Sequence, residues 1–182
     1  LAKKMTSLEK KTENTEPPFL LYVGRYDPVK GPDRLIKIAR EFFRKNEKYS
    51  LTIAGGGWKD LMIPDGLKTK VFLAGNVSNI SELYQKAAVL LFTSYTEGYP
   101  NVLVEASVSG TPIVGFEAGD SKLILDEYDL GYNVKNQKEF ISLLTHITDI
   151  PPSPEKKSDA IQKQLKLLDF SHTVKEYKEF IA

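Results

Sequence analysis

The chain has 182 residues, enough for one domain with a substantial core. Hydrophobic residues make up 41% and charged residues 27%, which excludes a disordered chain. A formal net charge of +1 argues against a nucleic-acid surface or a strongly basic membrane patch, and the absence of cysteine excludes disulfides and thiolate metal sites.

The first 18 residues, rich in Lys, Thr and Glu and closed by Pro17-Pro18, have the composition of a linker or flexible lead. With a leucine at position 1, the chain is expected to be a piece of a larger protein, reached through an interdomain connection. Phe19 to Val23 reads as a strand and feeds the loop Gly24-Arg25-Tyr26-Asp27-Pro28-Val29-Lys30-Gly31. Pro32 then opens a helix with Leu35, Ile38, Ala39, Phe42 and Phe43 in one apolar stripe. Ser50 to Ala54 is a second strand running into Gly55-Gly56-Gly57, and Val71 to Ala74 is a third, followed by Gly75-Asn76. Ser78 or Asn79 caps a short helix through Leu83, Tyr84 and Ala87, ahead of a fourth strand at Val89 to Phe92.

A helix beginning at Val102, with Asn101 as its N-cap, precedes a fifth strand at Pro112 to Gly115. A sixth strand at Gly131 to Val134 leads to a helix carrying Phe140, Leu143, Leu144 and Ile147. Two terminal helices follow. Ser153-Pro154 starts one with Ile161, Leu165 and Leu168 inward, and Ser171 starts the other with Val174, Tyr177, Phe180 and Ile181 inward. Strands alternating with helices predict an α/β, Rossmann-like, doubly wound parallel sheet over residues 19–150, with 151–182 as C-terminal helices of the same domain. No apolar run is long enough to span a bilayer and no signal-peptide pattern opens the chain, so a cytoplasmic location is expected. Peripheral membrane attachment of the larger protein is compatible with that. His146 and His172 are far apart and lack ligand-spaced partners, so no metal site is expected.

The chemistry concentrates in Glu97-Gly98-Tyr99-Pro100-Asn101-Val102-Leu103-Val104-Glu105. This stretch follows the fourth strand, and in open α/β sheets ligands bind at the carboxyl ends of strands. Glu97 falls in a Gly/Pro turn and Glu105 one turn inside the helix, its side chain directed back toward the helix start. A helix start suits a phosphate, whereas carboxylates suit hydroxyls; a ligand with both is a nucleotide or nucleotide sugar. The alternative is a solvated Glu97 with Glu105 placed to favour the helix dipole.

Arg25 and Lys30 flank the turn after the first strand on the same rim, where a guanidinium fork and a compact ammonium could hold phosphates. Ordinary surface charge is the competing reading. Gly55-Gly56-Gly57 permits close approach of a ligand or a plain tight turn, and neither a dinucleotide fingerprint nor a Walker loop is present. Tyr84 is a core residue more readily than a stacking platform. Trp58 could pack a neighbour or a ligand.

Together these residues resemble the C-terminal, donor-binding domain of GT-B retaining glycosyltransferases of family four, across about Phe19 to Ile147. The resemblance rests on Val23-Gly24-Arg25 with Lys30-Gly31, Ile53-Ala54-Gly55-Gly56-Gly57, Phe72-Leu73-Ala74-Gly75, Glu97 to Ala106, and Gly110-Thr111-Pro112-Ile113-Val114. It implies that Arg25 and Lys30 hold the donor diphosphate and that Glu97 contacts hydroxyls of the transferred sugar, helped by backbone N–H groups around Gly98 to Asn101. It further implies that Glu105 binds the ribose, that Gly75 and Asn76, with Tyr84 nearby, seat the base, and that Gly24, Gly55, Gly56, Tyr99, Pro100 and Val102 line the donor site. The donor would be a UDP- or GDP-linked hexose, used as co-substrate without cofactor or essential metal and with retention at the anomeric carbon. The acceptor would bind an N-terminal domain that this chain does not supply, so the chain alone is expected to transfer nothing. One departure is the loop Ala118-Gly119-Asp120-Ser121, where many relatives carry Gly-Gly-x-x-Glu. A non-catalytic nucleotide-sugar-binding scaffold would predict lost charges, yet Arg25, Lys30, Glu97 and Glu105 all stand. An epimerase or dehydrogenase domain would predict the absent fingerprint.

Overall fold

The structure, a computed structural model, describes residues 17–168. The lead up to residue 16 and the second terminal helix expected from Ser171, with Val174, Tyr177, Phe180 and Ile181, lie outside them.

The strands are β1 (Phe19–Val23), β2 (Ser50–Ala54), β3 (Val71–Gly75), β4 (Val89–Phe92), β5 (Ile113–Phe116) and β6 (Gly131–Val134). They form one sheet in the order β3-β2-β1-β4-β5-β6, with every neighbouring pair parallel. The helices are α1 (Pro32–Phe43), α2 (Ile80–Lys86), α3 (Asn101–Val108), α4 (Ser121–Glu127), α5 (Gln137–Asp149) and α6 (Pro154–Leu167). The sheet is therefore the doubly wound α/β arrangement that the alternating pattern predicts.

Period-two alternation sends strand side chains into two cores. Leu20, Tyr22, Val89 and Leu91 pack with Leu35, Ile38 and Phe42 of α1 and with Phe140 and Leu144 of α5. Leu21, Leu90 and Phe92 pack on the other face with Tyr84 of α2, Leu103 and Ala106 of α3, Ile124 and Leu125 of α4, and Ala160 of α6. Covered on both faces, β4 and β5 are buried at every position, which is why they read as unbroken apolar runs. Each fully buried leucine contributes roughly 1.5–3 kcal/mol. The strand order reverses between β1 and β4, and in open α/β sheets ligands bind outside the carboxyl ends of the strands at such a switch point.

Several elements differ from the sequence reading. β3 gains Gly75, and β5 runs Ile113–Phe116; Pro112, with no N–H to give, only accepts from Leu90 N at 2.8 Å. Asn101 is not the N-cap of α3 but its first residue. Pro100 occupies the cap position, and no side chain caps the helix. α4 was not expected, because a seven-residue helix with so few buried apolar positions leaves hardly any period to read. On α6, Ser153 caps as expected through Lys156 N, but Leu165 is 48% exposed while Ala160 and Gln164 are buried. Ala160 joins the second core, and Ile161, as expected, packs inward, against Gly110 just after α3.

Candidate functional site

The loop after β1 is set by its own side chains. Gly24 N donates to Ala54 O at 2.8 Å, which extends the sheet pairing into the loop. Asp27 caps the short turn Pro28–Lys30 by accepting from Val29 N at 3.1 Å. Its other oxygen accepts from Arg25 Nε at 3.0 Å. The Val29 N–H, followed by the Arg25 guanidinium, holds the Asp27 carboxyl below the usual carboxylate range. Gly31 ends the turn at φ 66°, where a Cβ would stand 2.1 Å from the Thr93 carbonyl oxygen. Only glycine fits there.

That close approach welds the β1 loop to the β4 loop. Thr93 Oγ1 donates to Lys30 O at 3.0 Å, and Tyr22 Oη donates to the same oxygen at 3.3 Å. Tyr95 N donates to Val29 O at 2.8 Å. With its backbone fixed, Lys30 directs its ammonium onto Glu97, Nζ lying 2.7 and 2.9 Å from the two carboxylate oxygens. The pair is partly buried, with side chains 28% and 13% exposed. Ser94 Oγ adds a hydrogen bond to Glu97 Oε1 at 2.7 Å. Burial, then the charges of Glu97 and Asp27, pushes the Tyr22 hydroxyl well above its ordinary range, so it remains a donor. From the β5 side, Gly119 at φ 57° packs so closely that a Cβ would lie 2.0 Å from Glu97 O, and Asp120 N donates to Gly98 O at 3.1 Å. Gly98 itself faces open space, and Tyr99 and Asn101 are exposed beside it.

Glu105 stands on the exposed side of α3 and accepts from Tyr84 Oη at 2.9 Å. Tyr84 is 1% exposed, its ring enclosed in the second core. It therefore has no face to offer a base, and it meets the site only through Glu105. Burial, then the Glu105 charge, pushes its hydroxyl far above the ordinary tyrosine range. The remaining glycines line an open depression of about 540 Å³ with Gly55, Gly56, Trp58, Leu73, Gly75 and Asn76 around it. Trp58 packs neighbours: its ring meets Tyr22 and Tyr26 edge-on at 5.6 and 5.0 Å, and Nε1 donates to Gly24 O at 3.0 Å.

The structure thus brings Lys30, Glu97 and Gly98 together at the switch point and gathers Gly55, Gly56, Gly75 and Asn76 around one depression. Arg25, on the same loop as Lys30, has a side chain that is 70% exposed and bound to Asp27. Sequence reasoning missed Asp27, Thr93 and Ser94. The Asp-Pro turn signal and the hydroxyls directly after an apolar strand were the available cues. An ammonium beside exposed loop backbone suits a phosphate, and the carboxylates suit hydroxyls. Among the described residues no cluster of His, Cys, Asp or Glu could hold a metal ion, and no helix is long and apolar enough to cross a membrane.

The six-stranded parallel sheet with helices on both faces is a Rossmann-like half-fold, the C-terminal half of the GT-B arrangement. The fold recurs in TarM, at TM-score 0.76 and 24% identity over 90% of this chain and 34% of that one. It recurs also in WaaG, a glycosyltransferase involved in lipopolysaccharide biosynthesis, at TM-score 0.67 and 22% identity over 82% and 42%. At these identities the likeness is one of fold. The family profile described as glycosyl transferases group 1 matches residues 3–166, and the chain belongs to that family.

Curated relatives agree. The chain is 37% identical over 92 residues to the GalNAc-alpha-(1->4)-GalNAc-alpha-(1->3)-diNAcBac-PP-undecaprenol alpha-1,4-N-acetyl-D-galactosaminyltransferase of Campylobacter jejuni, covering 48% of this chain and 26% of the relative. It is 28% identical over 116 residues to the D-inositol 3-phosphate glycosyltransferase of Nocardia farcinica, covering 56% and 26%. It is 30% identical over 106 residues to the mannosyltransferase WbdA of Escherichia coli, covering 53% and 13%. The chain spans about a quarter of the first two relatives' length.

Proposed function

We propose that this chain is the donor-binding half of a retaining glycosyltransferase that moves a hexose from a UDP- or GDP-sugar to a glycan or lipid-linked acceptor. The observation that carries the reading is the Lys30–Glu97 pair at the β1/β4 switch point, with Glu105 on the helix that follows. Lys30, with Arg25 swung off Asp27, holds the diphosphate, and the N–H groups of Gly98, Tyr99, Asn101 and Val102 assist at the sugar. Glu97 accepts from hydroxyls of the sugar and Glu105 from those of the ribose. The base sits in the depression walled by Gly55, Gly56, Gly75 and Asn76, beside Gly24. Tyr84 holds Glu105 from below.

The leaving diphosphate gains negative charge as the anomeric bond breaks, so Lys30 and Arg25 stabilise the transition state more than the ground state. The chain's own residues supply that electrostatic stabilisation, and no metal or other cofactor enters the proposal. GtfA, which shares the fold, has been solved with UDP and GlcNAc, and the relative WbdA is a mannosyltransferase, so more than one hexose stays within the proposal. The acceptor side belongs to an N-terminal domain, so the isolated chain binds donor weakly and transfers nothing. The full protein works in the cytoplasm, at the membrane surface when its acceptor is lipid-linked.

A thermal-shift screen of the full-length protein against UDP-glucose, UDP-N-acetylglucosamine, UDP-N-acetylgalactosamine and GDP-mannose tests this. A ligand at 100 times its Kd adds about 2.7 kcal/mol of stability, so one base series should raise Tm by several degrees. No shift with any of the four at millimolar concentration would contradict the proposal.

A further inference from the structure

Arg34, on the first turn of α1, has no part in the sequence motifs, yet two of its interactions fall on the loop that carries Glu97 and a third falls on β5. Its guanidinium carbon lies 3.7 Å from the centroid of the Tyr95 ring and 4.5 Å from that of Phe116, so the cation is held by rings from the β4 loop and from β5. Nη1 donates to Ser94 O at 3.2 Å. Ser94 in turn donates through Oγ to Glu97 Oε1 at 2.7 Å. The neighbouring Asp33 accepts from Tyr95 Oη at 2.9 Å, which holds the ring against Arg34.

We infer that Arg34 is a positioning residue that sets the Glu97 carboxylate through Ser94 and so tunes how the site grips the sugar of its donor. The inference rests on the sugar-contacting role proposed for Glu97. Arg34 is suited to this in a way lysine is not: a planar guanidinium can lie against an aromatic face while its edge reaches a carbonyl. α1 begins directly after Lys30, so one helix end fixes both partners of the ion pair: Lys30 by the chain and Glu97 by Arg34. The consequence is selective. The base depression and Glu105 are held by other elements, so nucleotide binding should not feel the loss of Arg34, whereas the sugar contact should.

The test uses the full-length protein, with UDP and GDP as nucleotide probes and release of nucleoside diphosphate from the sugar nucleotides named above as the reaction. Arg34→Met is expected to lower kcat about tenfold, on the scale of one misplaced site group, and to leave the Kd for the bare nucleotide within twofold. In the Glu97→Gln background it should cost almost nothing further, because both changes remove one contact. An unchanged kcat would overturn the inference. So would losses that multiply in the double variant together with weaker nucleotide binding, the pattern of a merely structural residue. If Arg34→Met does not fold, Arg34→Lys keeps the charge and stem and should show the same kcat loss; normal turnover in that variant overturns the inference. Should Glu97→Gln be fully active, or wild type turn over none of the donors, the reading of the site itself falls and this inference with it. Activity lost in Glu97→Gln but kept in Arg34→Met removes the inference alone.

Discussion

Glu97 and Glu105 are the same residue eight positions apart, and the fold treats them in opposite ways. Glu97 is nearly enclosed, neutralised by Lys30, bonded by Ser94, and overlaid by the backbone of Gly119. Glu105 stands exposed on a helix with a single phenol hydroxyl against it. One carboxylate is committed before any ligand arrives and the other is available. Under the proposed function, a diphosphate meets a lysine that already has a partner, and binding must share or break that pair. A ribose, on the same proposal, meets a carboxylate with acceptor capacity to spare. Stability and ligand affinity should accordingly separate between the two residues.

The largest effect is expected from breaking the enclosure. Gly119→Val forces a β-branched residue into positive φ and its Cβ into the Glu97 carbonyl, so stability should fall by roughly 2–4 kcal/mol in urea titration. Gly98→Ala meets open space and should leave stability within about 0.5 kcal/mol. Equal losses at the two glycines would erase the contrast between an overlaid and an open segment.

At the exposed carboxylate, Glu105→Ala should weaken donor binding by about 1–3 kcal/mol in titration calorimetry of the full-length protein, with little change in Tm. Wild-type affinity in that variant would refute the ribose contact. Tyr84→Phe should do less to affinity, since it removes only the group that steadies Glu105.

The same tyrosine sharpens the comparison through pH. Burial first, then the nearby glutamate in each case, raises the Tyr22 and Tyr84 hydroxyls above their unfolded value near 10. A raised folded pKa gives a contribution that is complete below pH 10 and is lost as pH rises further. Each tyrosine should then cost up to about 1.4 kcal/mol per pH unit above 10. Urea melts at pH 8 and 11 should show a smaller alkaline loss for Tyr84→Phe than for wild type.

Much of this was legible in the chain because its signals were local. The apolar runs at 19–23, 50–54 and 89–92 became strands with those bounds, and the stripe from Leu35 to Phe43 became the buried face of α1. The turn around Glu97 stands out as a candidate in the sequence because a short Gly/Pro motif with a carboxylate follows a buried strand. What stayed hidden depended on contacts between distant segments. Nothing near Lys30 in sequence announces Glu97, 67 residues away, as its partner. Tyr84 could be read as a core residue, but its hydroxyl on Glu105 required α2 and α3 to be placed side by side. The N-cap expected of Asn101 failed because Pro100 took that position, and α6 buries Ala160 and Gln164 where Leu165 was expected inward.

A modest stability effect at Lys30 carries the most information about function. Lys30→Ala leaves Glu97 without its cation but still bonded to Ser94, so the fold should lose only about 1–2 kcal/mol. Steady-state kinetics of that variant in the full-length protein, against its nucleotide-sugar donor, test the assignment of the switch-point pair to the chemistry most directly. A lysine that stabilises the departing diphosphate requires kcat to fall roughly tenfold or more, with KM changing less. Unchanged kcat and KM would return Lys30 to a structural ion pair and contradict the assignment.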